Sequence, residues 1–268
     1  MSEYDELKIY SGEEIQITSK ITVMQPTLRQ IKDFGEQLYF SSVYTLVGVG
    51  ADFKSQLWDM GIDYTTIEDY DLFINWISRI LASKKNLIKQ LPKQEIDKFS
   101  SQDLKKIETN PLELILKDID FCDFLICKDN KINQTVLRNE EKDVTIDRFV
   151  YSQIVEVVRN IHFLKRNNQV PANERTKMDL IEDARDELLA FKNKKYKSTL
   201  RPLISSLSVD YKICNDNEVW DMNIHRFLDN IKRINKIQDA RMLLQGAYSG
   251  FANLKGVDKT HLDWSGDL

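Results

Sequence analysis

Pro26-Thr27-Leu28-Arg29-Gln30-Ile31-Lys32-Asp33-Phe34-Gly35 is the stretch whose reading decides the fold. Before it, apolar residues recur on a period near two; after it, they take helical spacing. Pro26 closes the extended run. Thr27 and Gln30 stand three apart, as in a capping box: the hydroxyl covers one free amide of the first turn and the glutamine reaches back to another. Leu28, Ile31, Leu38, Val43 and Leu46 then mark one side of a helix expected to run to about Val47, with Gly35 as its weak point.

Outward from this stretch toward the N-terminus, Ile9, Ile15, Ile17, Ile21 and Val23 alternate loosely between Leu7 and Met24, broken at Ser11-Gly12 and Ser19-Lys20. The pattern predicts two or three short strands forming a β-ribbon. In the other direction, Gly48-Val49-Gly50 ends the helix. Asp52 is placed to cap a shorter one bearing Phe53, Leu57 and Met60, with Gly61 at the left-handed C-cap position. Thr65 and Glu68 repeat the capping-box pattern and open a third helix through Leu72, Trp76 and Ile80.

Beyond residue 83 the character changes. Lys84, Lys85, Lys89, Lys93, Lys98, Lys105 and Lys106 outnumber the nearby acids, and Ser100-Ser101 breaks the run, as in an exposed insertion. Ile119 to Ile126 and Ile132 to Leu137 flank the polar Lys128-Asp129-Asn130-Lys131, a β-hairpin pattern. From Asp147, Val150, Ile154, Val157, Val158, Ile161 and Leu164 keep helical spacing to Asn167-Asn168. A long charged helix after Pro171 carries Met178, Ile181, Ala184, Leu188 and Phe191 as its apolar stripe. A short helix over Leu200 to Leu207 and two more, Asn223 to Asn235 and Asp239 to Tyr248, complete the chain. The expected fold class is mainly α: a β-ribbon and three-helix lobe over 1–82, a variable insertion with a small β-hairpin over 83–145, and a C-terminal helical lobe over 146–268.

Composition narrows the function classes. Nine glycines and five prolines in 268 residues speak against sandwiches and Gly-rich nucleotide-binding folds. A net charge of −4 gives no global attraction to nucleic acid. The acidic start Met1-Ser2-Glu3-Tyr4-Asp5-Glu6 is unlike a signal peptide, and no run reaches the roughly 18 apolar residues of a membrane span. A cytoplasmic protein is expected.

Chemistry-bearing patterns are sparse. Gly48-Val49-Gly50-Ala51-Asp52-Phe53 follows a helix and lacks the third glycine of a dinucleotide fingerprint, so it reads as a helix-to-helix turn. Asp59, Asp63, Glu68, Asp69 and Asp71 have no metal-loop spacing and read as caps and solvated surface. Cys122, Cys127 and Cys214 match no zinc pattern. His162, His225 and His261 lie far apart, and His162 among Ile161, Phe163 and Leu164 reads as structural. No catalytic residue, metal or cofactor is expected.

Two basic stretches, Lys192 to Arg201 and Arg226, Lys232, Arg233, Lys236, Arg241, could meet phosphates, the first with Tyr196 as a stacking ring. The overall charge favours a solvated face or an acidic protein partner. Among the C-terminal aromatics, Trp220 and Phe227 are seven apart on one helix face. Trp264 lies in a Gly- and Asp-containing tail, either folded back on the body or serving as an apolar anchor. Trp220, Phe227, Tyr248, Phe251 and Trp264, with Lys232, Arg233 and Lys236 as charged rim, are the candidate partner-binding residues.

Two groups of segments, one near each end, carry a resemblance. The first is Ile21-Thr22-Val23-Met24-Gln25-Pro26-Thr27-Leu28-Arg29-Gln30-Ile31 through Gly35-Glu36, with Gly61-Ile62-Asp63-Tyr64 and Tyr70-Asp71-Leu72-Phe73. The second is Val219-Trp220-Asp221-Met222, Lys232 to Ile237, Leu244 to Gly250 and Leu262-Asp263-Trp264. Together they resemble a family of virion and tail-morphogenesis proteins of tailed phages and prophages of Gram-positive bacteria. The middle, from about Lys84 to Lys194, carries no such likeness. The resemblance implies a tail assembly chaperone or a tail or baseplate component with other virion proteins as partners. Self-association is compatible with it, and it brings no catalytic residues.

Overall fold

The structure, a computed structural model, describes residues 6–86, 107–129, 134–210, 216–250 and 262–266. It is mainly α. The capping box forms as read: Gln30 N donates to Thr27 Oγ1 at 3.2 Å and Thr27 N donates to Gln30 Oε1 at 2.8 Å. The expected ribbon is shorter at its start. Residues Glu6–Ser11 make helix α1, and only Ile15–Thr18 (β1) and Ile21–Val23 (β2) pair, antiparallel, with a register irregularity between Gln16 and Thr18. Ile9 fits a strand period in sequence but is buried from a helix.

Helix α2 (Leu28–Phe34) and α3 (Glu36–Val47) are separate because Gly35 takes φ 111, a value that side-chain-bearing residues rarely adopt. A 3-10 turn (Gly50–Phe53) leads into α4 (Lys54–Asp59). Gly50 is required there, since a Cβ would lie 2.4 Å from the Tyr64 carbonyl oxygen. Asp52 accepts from Val49 N at 2.9 Å, holding that turn rather than capping α4. The second expected capping box does not form. Thr65 donates to Asp63 instead, and Glu68 makes no side-chain cap to α5 (Asp69–Leu72). A π segment (Phe73–Ile77) joins α5 to α6 (Ser78–Ile80), and its wider turn lets neighbouring Phe73 and Ile74 both face the core with Ile77.

The middle sheet has three strands in the order β3 (Leu125–Asp129), β4 (Gln134–Asn139), β5 (Val144–Ile146), all antiparallel. The hairpin expectation is extended by one strand, and Phe121–Asp123 forms a 3-10 turn where strand was expected. The hairpin tip, most of the Lys-rich insertion, Cys214, Phe251 and His261 lie outside the described residues.

Helix α7 (Arg148–His162) is the axis of the core. Asp147 accepts from Val150 N at 2.8 Å to start it, and Phe163 ends it in the left-handed region at φ 54, before Asn167. Tyr151, Ile154, Val155, Val157, Val158, Ile161 and His162 are buried on it against α3, the ribbon, α5 and β5. Full burial of such side chains stabilises the fold by about 1.5–3 kcal/mol each. Tyr151 stacks on Phe73 at 4.1 Å between ring centroids. At the end of α7, His162 Nδ1 lies 2.7 Å from Val158 O and Nε2 lies 2.7 Å from the Tyr39 hydroxyl. The ring is thus satisfied as a neutral imidazole.

The remaining helices are α8 (Glu174–Lys192), α9 (Leu200–Asp210), α10 (Asp216–Asp221) and α11 (Ile224–Tyr248). The two final helices expected from sequence are one, because nothing between Asn235 and Asp239 breaks it. Buried Lys177 fixes α8 to α4, donating to Asp63 at 2.7 Å with its ammonium over the Trp58 ring. Beyond Ile181 no side chain of α8 is buried, and Leu189 and Phe191 are exposed although the apolar stripe placed Phe191 inward. No helix among the described residues is long and apolar enough to cross a membrane.

A candidate docking face in the C-terminal region

The two resembling groups of segments meet. Leu28 N donates to Met222 O at 3.0 Å, Ile224 N donates to Pro26 O at 2.9 Å, and Arg29 pairs with Asp221 at 2.9 Å. The turn from α10 to α11 is therefore stitched to the capping box that begins α2. Ile224 and Phe227 continue this seam into the core, both fully buried. Phe227 is a packing residue here, not an accessible contact.

The cations of α11 are largely used within the chain. Phe163 is sandwiched, its ring stacked on His225 at 4.7 Å while Lys232 Nζ lies 4.1 Å from its centroid. His225 Nδ1 lies 3.1 Å from Ile161 O, and burial holds its pKa below the usual histidine value. Arg226 stands over the Tyr10 ring at 5.8 Å. Of the second basic stretch, which could have met phosphates, Arg226 and Lys232 are thereby taken up by rings.

Arg233 and Lys236 clasp the tail. Arg233 Nη1 donates to Trp264 O at 2.8 Å and Gly266 O at 2.7 Å, and Lys236 Nζ donates to Gly266 O at 3.0 Å. The tail is itself a tight turn: Asp263 Oδ1 accepts from Ser265 N, Ser265 Oγ and Gly266 N at 3.2, 2.7 and 3.1 Å. These bonds hold the Asp263 carboxyl below the usual aspartate range, with Ser265 the largest cause. The Trp264 main chain is thus fixed to the body while its indole stays 57% exposed. Folding back and presenting an apolar side chain turn out not to be alternatives.

Trp220 is half-buried at a second feature. Between α2 and α9 lies a groove of about 480 Å³, floored by Leu28, Leu200, Ile204 and Trp220. Lys32 stands 5.5 Å from the Trp220 ring. Tyr248, at the far end of α11, is exposed.

Residues 192–268 match the family model of the YomV second domain. Searches of curated proteins and of solved structures find no match to the chain. The YomV-like region takes in the basic run after α8, the α9 wall of the groove, α10, α11 and the clasped tail.

Elsewhere the carboxylates serve packing. Asp59 pairs with Arg185, Asp63 with Lys177, Glu68 and Asp71 with Arg148 and Asp69 with Arg166, so all five acids read as caps or solvated surface anchor α7, α8 or the loop between them. Asp120, Cys122 and Asp123 bring ligand-type atoms within 4.8 Å of one another. That cluster already holds a cation: Lys85 Nζ lies 3.2 Å from Asp120 and 2.8 Å from Asp123. Burial pushes the Cys122 thiol up to about 11, away from the thiolate a metal would need. Burial alone would also raise Asp120, but hydrogen bonds led by Ser83 hold it lowered. The arrangement ties residues 83–86 to the turn at 120–123.

Proposed function

We propose that this chain is a non-enzymatic phage morphogenesis protein, a tail assembly chaperone or tail or baseplate component that works by protein–protein binding. The presented Trp264 carries the reading. An exposed indole on a backbone held by Arg233 and Lys236 loses little conformational freedom on docking, the property of an anchor residue. The family resemblance at both ends and the YomV-like match over 192–268 support a phage setting.

The test is affinity capture from prophage-induced cells with the full chain and with Trp264→Ala. Recovery of a tail or baseplate protein by the parent, reduced about tenfold or more by the substitution, is expected. Recovery of only nucleic acid or only host proteins overturns the reading.

A second reading, a phage nucleic-acid-binding or regulatory protein, is favoured by one observation. Lys192, Lys194, Lys195, Lys197 and Arg201 are exposed and make no ion pair among the described residues. It requires affinity that falls steeply with salt and disappears on neutralising Lys194, Lys195 and Lys197.

A further inference from the structure

The α2–α9 groove shares no residue with the Trp264 tail, and its chemistry is different. Its floor is aliphatic apart from Trp220, and Val209 stands 80% exposed at one lip. Its walls are helices, so their main-chain amides are already used and offer no edge to an extended strand. An occupant must therefore arrive with its own backbone bonds satisfied, which a helix does. Helix α9 has 11 residues, about 16 Å, and so runs beside some three turns of a visiting helix.

Charge specifies the occupant further. Among the described residues Glu36 is the one carboxylate lining the groove, and it is occupied: its Oε1 accepts from Thr199 N, Thr199 Oγ1 and Leu200 N at 2.8, 2.9 and 2.9 Å, capping α9. Tyr196 hydrogen-bonds to the same Glu36 and Ser198 lines the groove, so the exposed Lys195 and Lys197 flank a residue tied to its wall. Arg201 and Lys32 stand on the rim, Lys32 with Asp33 at 3.1 Å as its ion-pair partner. Arg201 and Lys32 on the rim, and Lys194, Lys195 and Lys197 in the adjoining run, thus lie near an apolar trough whose lining carboxylate, Glu36, is already engaged.

We propose that this groove receives an acidic amphipathic helix of a partner protein, its apolar stripe on Leu200, Ile204 and Trp220 and its carboxylates against Lys194, Lys195, Lys197 and Arg201. Single-stranded nucleic acid fits less well, because Trp220 is the one stacking ring of a floor that is otherwise aliphatic and that a phosphate backbone would leave uncovered. The inference shares with the proposed function only that the protein works by binding, and it is independent of Trp264.

The test labels the full chain with 5-fluorotryptophan and follows the Trp220 fluorine resonance. The probes are a synthetic helix of about fifteen residues with Leu and Phe at helical spacing and Glu elsewhere, the same peptide with Lys for Glu, and oligothymidine. The acidic peptide is expected to shift Trp220 and to weaken about tenfold on Val209→Glu, an exposed position, and on the triple change Lys194→Glu, Lys195→Glu, Lys197→Glu. Trp264→Ala should leave its affinity unchanged, which separates this groove from the tail site. Equal binding of the lysine peptide, tighter binding of oligothymidine, indifference to Val209→Glu, or no shift at millimolar acidic peptide would each overturn the proposal.

Discussion

Helices α7 and α11 show two ways of using a helix in one molecule. In α7, seven of 15 residues are buried; in α11, Ile224, Phe227 and Ala240 are the buried ones among 25. The first is held by what it packs against, and its sequence is correspondingly apolar on one broad face. The second is pinned near its start by the Phe163–His225–Lys232 stack and the seam at Ile224, then carries mostly polar side chains outward. The contrast separates a helix that makes the core from one that lies mostly at the surface.

The comparison breaks most sharply by truncation of apolar side chains. Ile161→Ala on α7 should cost about 2–5 kcal/mol, because the residue is fully enclosed and its neighbours cannot close the gap. Met242→Ala on α11, 64% exposed in the folded state, should stay within about 0.5 kcal/mol. Urea unfolding of both variants checks this. Equal losses would mean that α11 is as much a core element as α7.

Acid should sharpen it next. Burial pushes the His162 pKa down to about 4 from its ordinary 6.5. The folded state therefore binds fewer protons than the unfolded chain between these values. Its contribution is fully present above pH 6.5 and is lost as pH falls toward 4, about 3 kcal/mol in all. Replacing the exposed Lys194 or Lys195 should not change that slope. Unfolding midpoints measured across this window that stay flat would place His162 in contact with water.

The smallest effect concerns the joint between α2 and α3. Gly35→Ala meets no atom within 4 Å, so any cost is backbone strain at φ 111, about 1–2 kcal/mol. A neutral result in the same unfolding assay would show that the chain can carry α2 into α3 without this break.

Much of the fold was legible from local chemistry. The Thr27–Gln30 capping box, the left-handed Gly61 and the Asp147 start of α7 all rest on groups within four residues of one another, whereas the single helix expected through Gly35 is two. Errors arose where a nearby pairing was outcompeted. Thr65 bonds to Asp63 rather than answering Glu68, which turns to Arg148 across the fold. Period alone could not tell that Ile9 sits on a helix, since one turn has too few positions to separate periods of 2 and 3.6.

The site was legible only in part. Trp264, Arg233 and Lys236 were singled out by type, and the structure joins them through main-chain carbonyls that no residue code displays. The groove was missed. Its capping residue Glu36 lies 163 positions before Thr199, and Leu28 and Lys32 read simply as parts of a first helix.

By itself the sequence determined that the chain is mainly α, where some helices start, at Thr27 and Asp147 among them, and which residue types are available in its C-terminal region. Caps and turns act over a few residues, so their outcome is written where they stand. Tertiary structure alone decided that Phe227 is core while Trp264 is surface, that Lys232 rests on a ring while Lys194 has no ion pair among the described residues, and that α2 and α9 leave a trough between them. Those are properties of distances between remote segments, and distances exist only once the core has chosen its packing.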